Sequence, residues 1–78
     1  MTNNDTYQTK DLSEAAALLT LGQKIIRIDR EGGICWFVFS EKFKCQEISN
    51  SFWFDDCLVD AKSYYDSITR LKNRIFSN

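Results

Sequence analysis

The chain has 78 residues, 44% of them hydrophobic and 14% aromatic, with ten basic against eleven acidic side chains and neither proline nor histidine. A chain this short buries only about 60% of its unfolded surface, so one small domain supplemented by self-association is the expectation. The missing histidine excludes Ser-His and Cys-His nucleophile pairs and histidine metal sites, and a pI near 5.2 argues against a general binder of duplex DNA.

The start, MTNNDTYQTK, lacks the apolar region of a signal peptide, and no run approaches the roughly 18 apolar residues of a membrane span. A cytoplasmic protein with no membrane partner is expected. Residues 1–6 are expected to be disordered and Asn3 to Thr9 loose, with Tyr7 to Thr9 able to add a short strand at a sheet edge.

Next comes a helix, DLSEAAALLTLG. Asp11 followed by Glu14 resembles a capping box, and Gly22 is a helix-ending residue. Leu12, Ala15, Ala16 and Leu19, with Leu18 beside them, form its apolar stripe, and the alanines permit close packing on a sheet.

Lys24 to Ser40 then reads as a β-hairpin, KIIRIDREGGICWFVFS. Gly32-Gly33 suits a two-residue type I′ or II′ turn, which sets Glu31 opposite Ile34, Asp29 opposite Trp36, Arg27 opposite Val38 and Ile25 opposite Ser40. The alternate set pairs Arg30 with Cys35, Ile28 with Phe37 and Ile26 with Phe39. Period-2 alternation makes Ile26, Ile28, Cys35, Phe37 and Phe39 a core face. The other face mixes Ile25, Ile34, Trp36 and Val38 with Arg27, Asp29 and Glu31, and something must cover it.

Two more helices follow. EKFKCQEISNSFWF carries Cys45, Ile48, Ser49 and Phe52 at helical spacing and ends near Phe54. The last, AKSYYDSITRLKNRIF, is capped by Asp60 and repeats Ala61, Tyr64, Tyr65, Ile68, Leu71 and Ile75 at intervals of three and four. The expected fold is α+β, in the order helix, hairpin, helix, helix, with helices on one sheet face and a second protomer on the other.

Several motifs together resemble a family of short uncharacterised bacterial and phage proteins, a domain of unknown function. They are Tyr7-x-Thr9-Lys10-Asp11-Leu12, the Ala-Ala and Leu-Leu pairs before Gly22, the hairpin ending W-F-V-F, and Val59-Asp60-Ala61 before a helix with Arg70-Leu71-Lys72. The likeness spans nearly the whole chain. It implies a bacterial or phage origin inside the cell and carries over no catalytic or binding residue.

Four constellations bear on function. Trp36 beside Arg27 and Asp29 could stack a base and address a nucleotide's polar groups, but Trp36 with Ile25, Ile34 and Val38 equally fits a homodimer interface. Arg70 and Arg74, at i and i+4, could clamp a phosphate, or belong to a solvated ladder with Asp66 and Lys62. Trp53 and Phe54 either present a protein-binding surface or fold against Tyr64 or Tyr65. Asp55, Asp56 and Asp60 are better explained as turn and cap residues than as a magnesium site.

Cys35, Cys45 and Cys57 are odd in number, lack a C-x-x-C spacing and are expected to be free thiols, the first two packed as small hydrophobes. The expectation is a non-enzymatic, homo-oligomeric binding protein without cofactor or metal. Its ligand would be a small anionic, nucleotide-like molecule or its partner a host protein. The alternative is a nucleic-acid-binding regulator using the C-terminal basic helix.

Overall fold

A computed structural model of the chain describes residues 5–54 and 57–76. Its elements are β1 (Tyr7–Thr9), α1 (Leu12–Thr20), β2 (Ile25–Glu31), β3 (Ile34–Phe39), α2 (Lys42–Phe54) and α3 (Ala61–Phe76). The strands form one antiparallel sheet in the order β1-β3-β2. The fold is thus the expected α+β arrangement of helix, hairpin, helix and helix, with β1 added on the far side of β3 from β2.

Local chemistry accounts for each boundary. The Asp11 carboxylate accepts from the Glu14 backbone N–H at 2.8 Å, capping α1 as expected. At its other end Gly22 (φ +96°) and Gln23 donate to the Leu19 and Leu18 carbonyls, the paired bonds of a Schellman motif. Asp60 caps α3 by accepting from the backbone N–H and the hydroxyl of Ser63. The start of α2 is less regular: Glu41 adopts φ +58°, and the Lys42 N–H donates to the Asp5 carbonyl at 2.9 Å. Asp5 is therefore anchored despite lying in the segment expected to be disordered, of which residues 1–4 fall outside the described residues.

Gly32 and Gly33 both have positive φ, +55° and +84°, so the hairpin closes in a type I′ turn and Glu31 pairs with Ile34 as expected. The register holds back to Arg27 opposite Val38. It then slips: Ile25, and not Ile26, stands opposite Phe39. The β-bulge at Ile26 moves Ile25 onto the helix-covered face and leaves Ile26 48% exposed. The expected placement of these two isoleucines is corrected accordingly, since uniform alternation cannot anticipate an inserted residue.

The core joins Ala15, Ala16, Leu18, Phe37, Phe39, Cys45 and Leu71, with Ile25, Ile28, Ile48, Tyr64, Ile68 and Ile75 packed around it. The helix α1 lies at its centre, and every residue from Glu14 to Leu18 is buried. A segment enclosed this fully must be small and apolar around most of its circumference, which Ala15-Ala16-Ala17-Leu18 satisfies. Thr20 and Ser67 hydroxyls, 2.8 Å apart, and the Tyr64 hydroxyl donating to the Ser13 carbonyl tie α3 to it. Tyr65, expected on the α3 stripe, is instead 69% exposed.

Replacing Gly33 by Ala is expected to destabilise the domain by about 1–2 kcal/mol, a torsional cost because nothing lies within 4 Å of an added Cβ. Urea denaturation checks it, with Gly32→Asn, a residue tolerant of positive φ, serving as the near-neutral control.

Candidate functional site

Period 2 along β1 turns Tyr7 and Thr9 toward the helices, where they meet a buried carboxylate on α1. The Tyr7 hydroxyl donates to Glu14 Oε2 at 2.5 Å, and the Thr9 hydroxyl donates to Oε1 at 2.7 Å. Ser49 of α2 lies 3.0 Å from the Tyr7 oxygen. Thr9 Oγ1 also accepts from the Asp11 backbone N–H at 3.1 Å. The capping box is therefore relayed: Thr9 bonds the N–H that the Glu14 side chain would otherwise have reached.

Burial by itself would push the Glu14 carboxyl up. Hydrogen bonds from Tyr7, Ser49, Thr9 and the Trp53 indole outweigh it and hold the carboxyl below its ordinary 4.5. Burial also raises the Tyr7 phenol, reinforced by its bond to Glu14. Among the described residues every buried side-chain nitrogen or oxygen has a partner. This cluster is a structural joint, and an open polar depression of about 420 Å³, lined by Tyr7, Gln46, Ser49 and Asn50, adjoins it.

A different place gathers the arginines. Between β2 and α3 lies a groove of about 430 Å³ lined by Arg27, Arg70, Asn73 and Arg74 above an apolar floor that includes Leu19, Ile25 and Leu71. Of the four residues singled out for ligand binding, Arg70 and Arg74 thus line this groove from α3 and Arg27 from β2, the Arg27 side chain sharing a sheet face with Asp29. Arg27 also holds Asp29, its Nε 3.1 Å from both carboxylate oxygens. Of the expected charge ladder on α3, the rung from Lys62 to Asp66 forms at 3.3 Å, whereas among the described residues Arg70 and Arg74 make no ion pair.

The fourth, Trp36, does not line this groove; it pairs with Asp29 on the opposite sheet face. That face offers less apolar surface than expected. Val38 is fully buried within the single chain, flanked by Gln8 on β1 and Arg27 on β2, and Ile25 has moved to the core. Ile34 and Trp36 remain partly exposed.

At the end of α2, Trp53 packs edge-on against Phe52, ring centroids 5.0 Å apart, while Phe54 is 84% exposed. With Tyr65 exposed as well, the rings do not fold into α3 in the manner weighed as an alternative. Asp55 and Asp56 lie outside the described residues, and among the described residues no cluster of three potential metal ligands occurs. Burial, with Glu41 and Glu14 nearby, pushes the Cys45 thiol up to about 11, so it stays protonated at neutral pH. Among the described residues no helix is long and apolar enough to cross a membrane.

Sequence reasoning missed two participants. Asn73 follows Arg70 by three residues, a spacing that already assigns both to one helix face. Arg30 shares the helix-side parity of Ile28, and its guanidinium donates to the Ile75 and Arg74 carbonyls at 2.6 and 3.2 Å, capping α3. Nothing local in the sequence announces that contact.

Glu14→Gln is expected to cost about 1–3 kcal/mol at neutral pH by leaving the hydroxyl donors without a charged acceptor. Because the folded carboxyl lies below its ordinary 4.5, its contribution is complete above that pH and is lost as pH falls through the lowered folded value. Denaturation between pH 3 and 7 should show a steeper acid loss for the native chain than for this variant.

The family described as domain of unknown function (DUF5659) matches residues 4–77, and the chain belongs to it. Comparisons with curated proteins and with solved structures return no match.

Proposed function

We propose that this member of the DUF5659 family is a non-enzymatic, self-associating binding protein that holds a small anionic, nucleotide-like ligand in the groove between β2 and α3. The observation that carries this reading is the pairing of Arg70 and Arg74, free of acidic partners among the described residues, on one cavity with an apolar floor that β2 borders at Arg27. Guanidinium groups suit phosphate or carboxylate oxygens, because each presents several donors in a fixed plane. Leu19, Ile25 and Leu71 offer a surface for a flat apolar moiety, and the Asn73 amide adds a donor and an acceptor.

The charge ladder that competes with this reading is incomplete, since Arg70 and Arg74 are not matched by acidic partners among the described residues. The absence of histidine and the protonated Cys45 favour binding over catalysis. Engagement of a host protein through Trp53 and Phe54 is a second reading, favoured by the exposure of Phe54.

Titration calorimetry with ATP and with inorganic phosphate tests the groove. The native chain should bind ATP, and Arg70→Glu with Arg74→Glu should weaken binding by more than about tenfold, because each charge-assisted bond contributes roughly 1.5–3 kcal/mol. Undiminished affinity in the folded double variant would sink the assignment. Salt-sensitive binding of duplex DNA in place of ATP would shift the reading to the nucleic-acid alternative.

A further inference from the structure

We propose that two copies of the chain join edge to edge through β2, forming a continuous six-stranded antiparallel sheet with Ile28 at the two-fold axis. The inference rests on the reading that the chain self-associates and names the surface that does so. Among the described residues β2 is bonded to β3 alone. It contains neither proline nor lysine, and its bulge at Ile26 and its charges leave Arg27 to Glu31 as the regular stretch whose pairing those charges must match.

The hairpin turn determines which backbone groups that edge offers. A two-residue type I′ loop closes on a hydrogen-bonded pair, here Glu31 with Ile34, and such pairs alternate along the ladder. Glu31, Asp29 and Arg27 thus direct their N–H and C=O groups toward β3. Arg30 and Ile28 direct theirs outward. An isologous antiparallel contact has to match outward groups with outward groups, leaving three registers within this segment.

The charges choose among them. With the axis at Arg30, Asp29 of each copy faces Glu31 of the other. With the axis midway, at Asp29, the two Asp29 carboxylates oppose each other. With the axis at Ile28, Arg27 of each copy faces Asp29 of the other and the two Ile28 side chains meet on the helix side. Only this last register places opposite charges in both flanking positions and like charges in none. Arg30 is in addition already committed to the α3 carbonyls.

A two-fold axis between antiparallel strands runs normal to the sheet, so both helical layers fall on one side. Each groove already opens along β2, from Ile25 to Ile28. Pairing of the two edges brings the Arg70 and Arg74 sets of the two copies toward a shared anion site.

Sedimentation velocity of the full chain tests the arrangement through a charge swap. The native chain should sediment as a dimer; Arg27→Asp and Asp29→Arg should each weaken dimerisation by at least about tenfold, and the double variant should restore it. Circular dichroism confirms that these surface variants fold. Mild oxidation of Arg27→Cys mixed with Asp29→Cys should yield a cross-linked dimer, since Cα atoms of a non-hydrogen-bonded pair lie about 4.5 Å apart, within disulfide range. Peptide mapping should place that link between positions 27 and 29. A native dimer indifferent to the single swaps would overturn the β2 contact while leaving self-association intact. A native monomer would overturn both.

Discussion

The Glu14 carboxylate is the constraint on which the rest of the domain depends. It is buried and ionised, a combination sustained only when several donors face it. Those donors come from β1, through Tyr7 and Thr9, and from α2, through Ser49 and Trp53. A single charged group on the central helix therefore decides where the first strand and the second helix sit. It also helps to explain how three residues of β1, too few to be stable as a free strand, remain in register against β3.

Much of this architecture was legible because the deciding interactions are local. Asp11, Asp60 and Gly22 terminate helices through bonds spanning a few residues, and Gly32-Gly33 sets the hairpin register through its own torsions. The bulge at Ile26 was not legible. It places both Ile25 and Ile28 beneath the helices although they are three apart, and period-2 alternation alone cannot supply that. The Glu14 cluster left only a faint trace, Tyr7 and Thr9 on one side of a strand followed by a carboxylate in the first helical turn.

The candidate site divides along the same line. Arg70 and Arg74 share a helix face by spacing alone, so their proximity was readable. Their meeting with Arg27 required the topology, because α3 had to cross toward β2 and not toward β1. Trp36 failed to join them for a strand-level reason: with Arg27 and Asp29 it belongs to the sheet face turned away from the helices. The surface expected to be greasy was largely resolved within the chain, where Val38, central in the sheet, is covered without a partner.

β1, three residues long, closes the opposite edge of the sheet, and the Lys42 N–H, donating to the Asp5 carbonyl, holds Asp5 against the start of α2. A sheet extended through β2 therefore ends at a β1 on either side, where too little ladder remains for another strand to lay down. Growth of the proposed sheet would be self-limiting. The apolar, proline-free third strand, ICWFVF, carries the composition of a fibril-forming segment, and in the proposed dimer one stub of strand would hold the assembly to a fixed size.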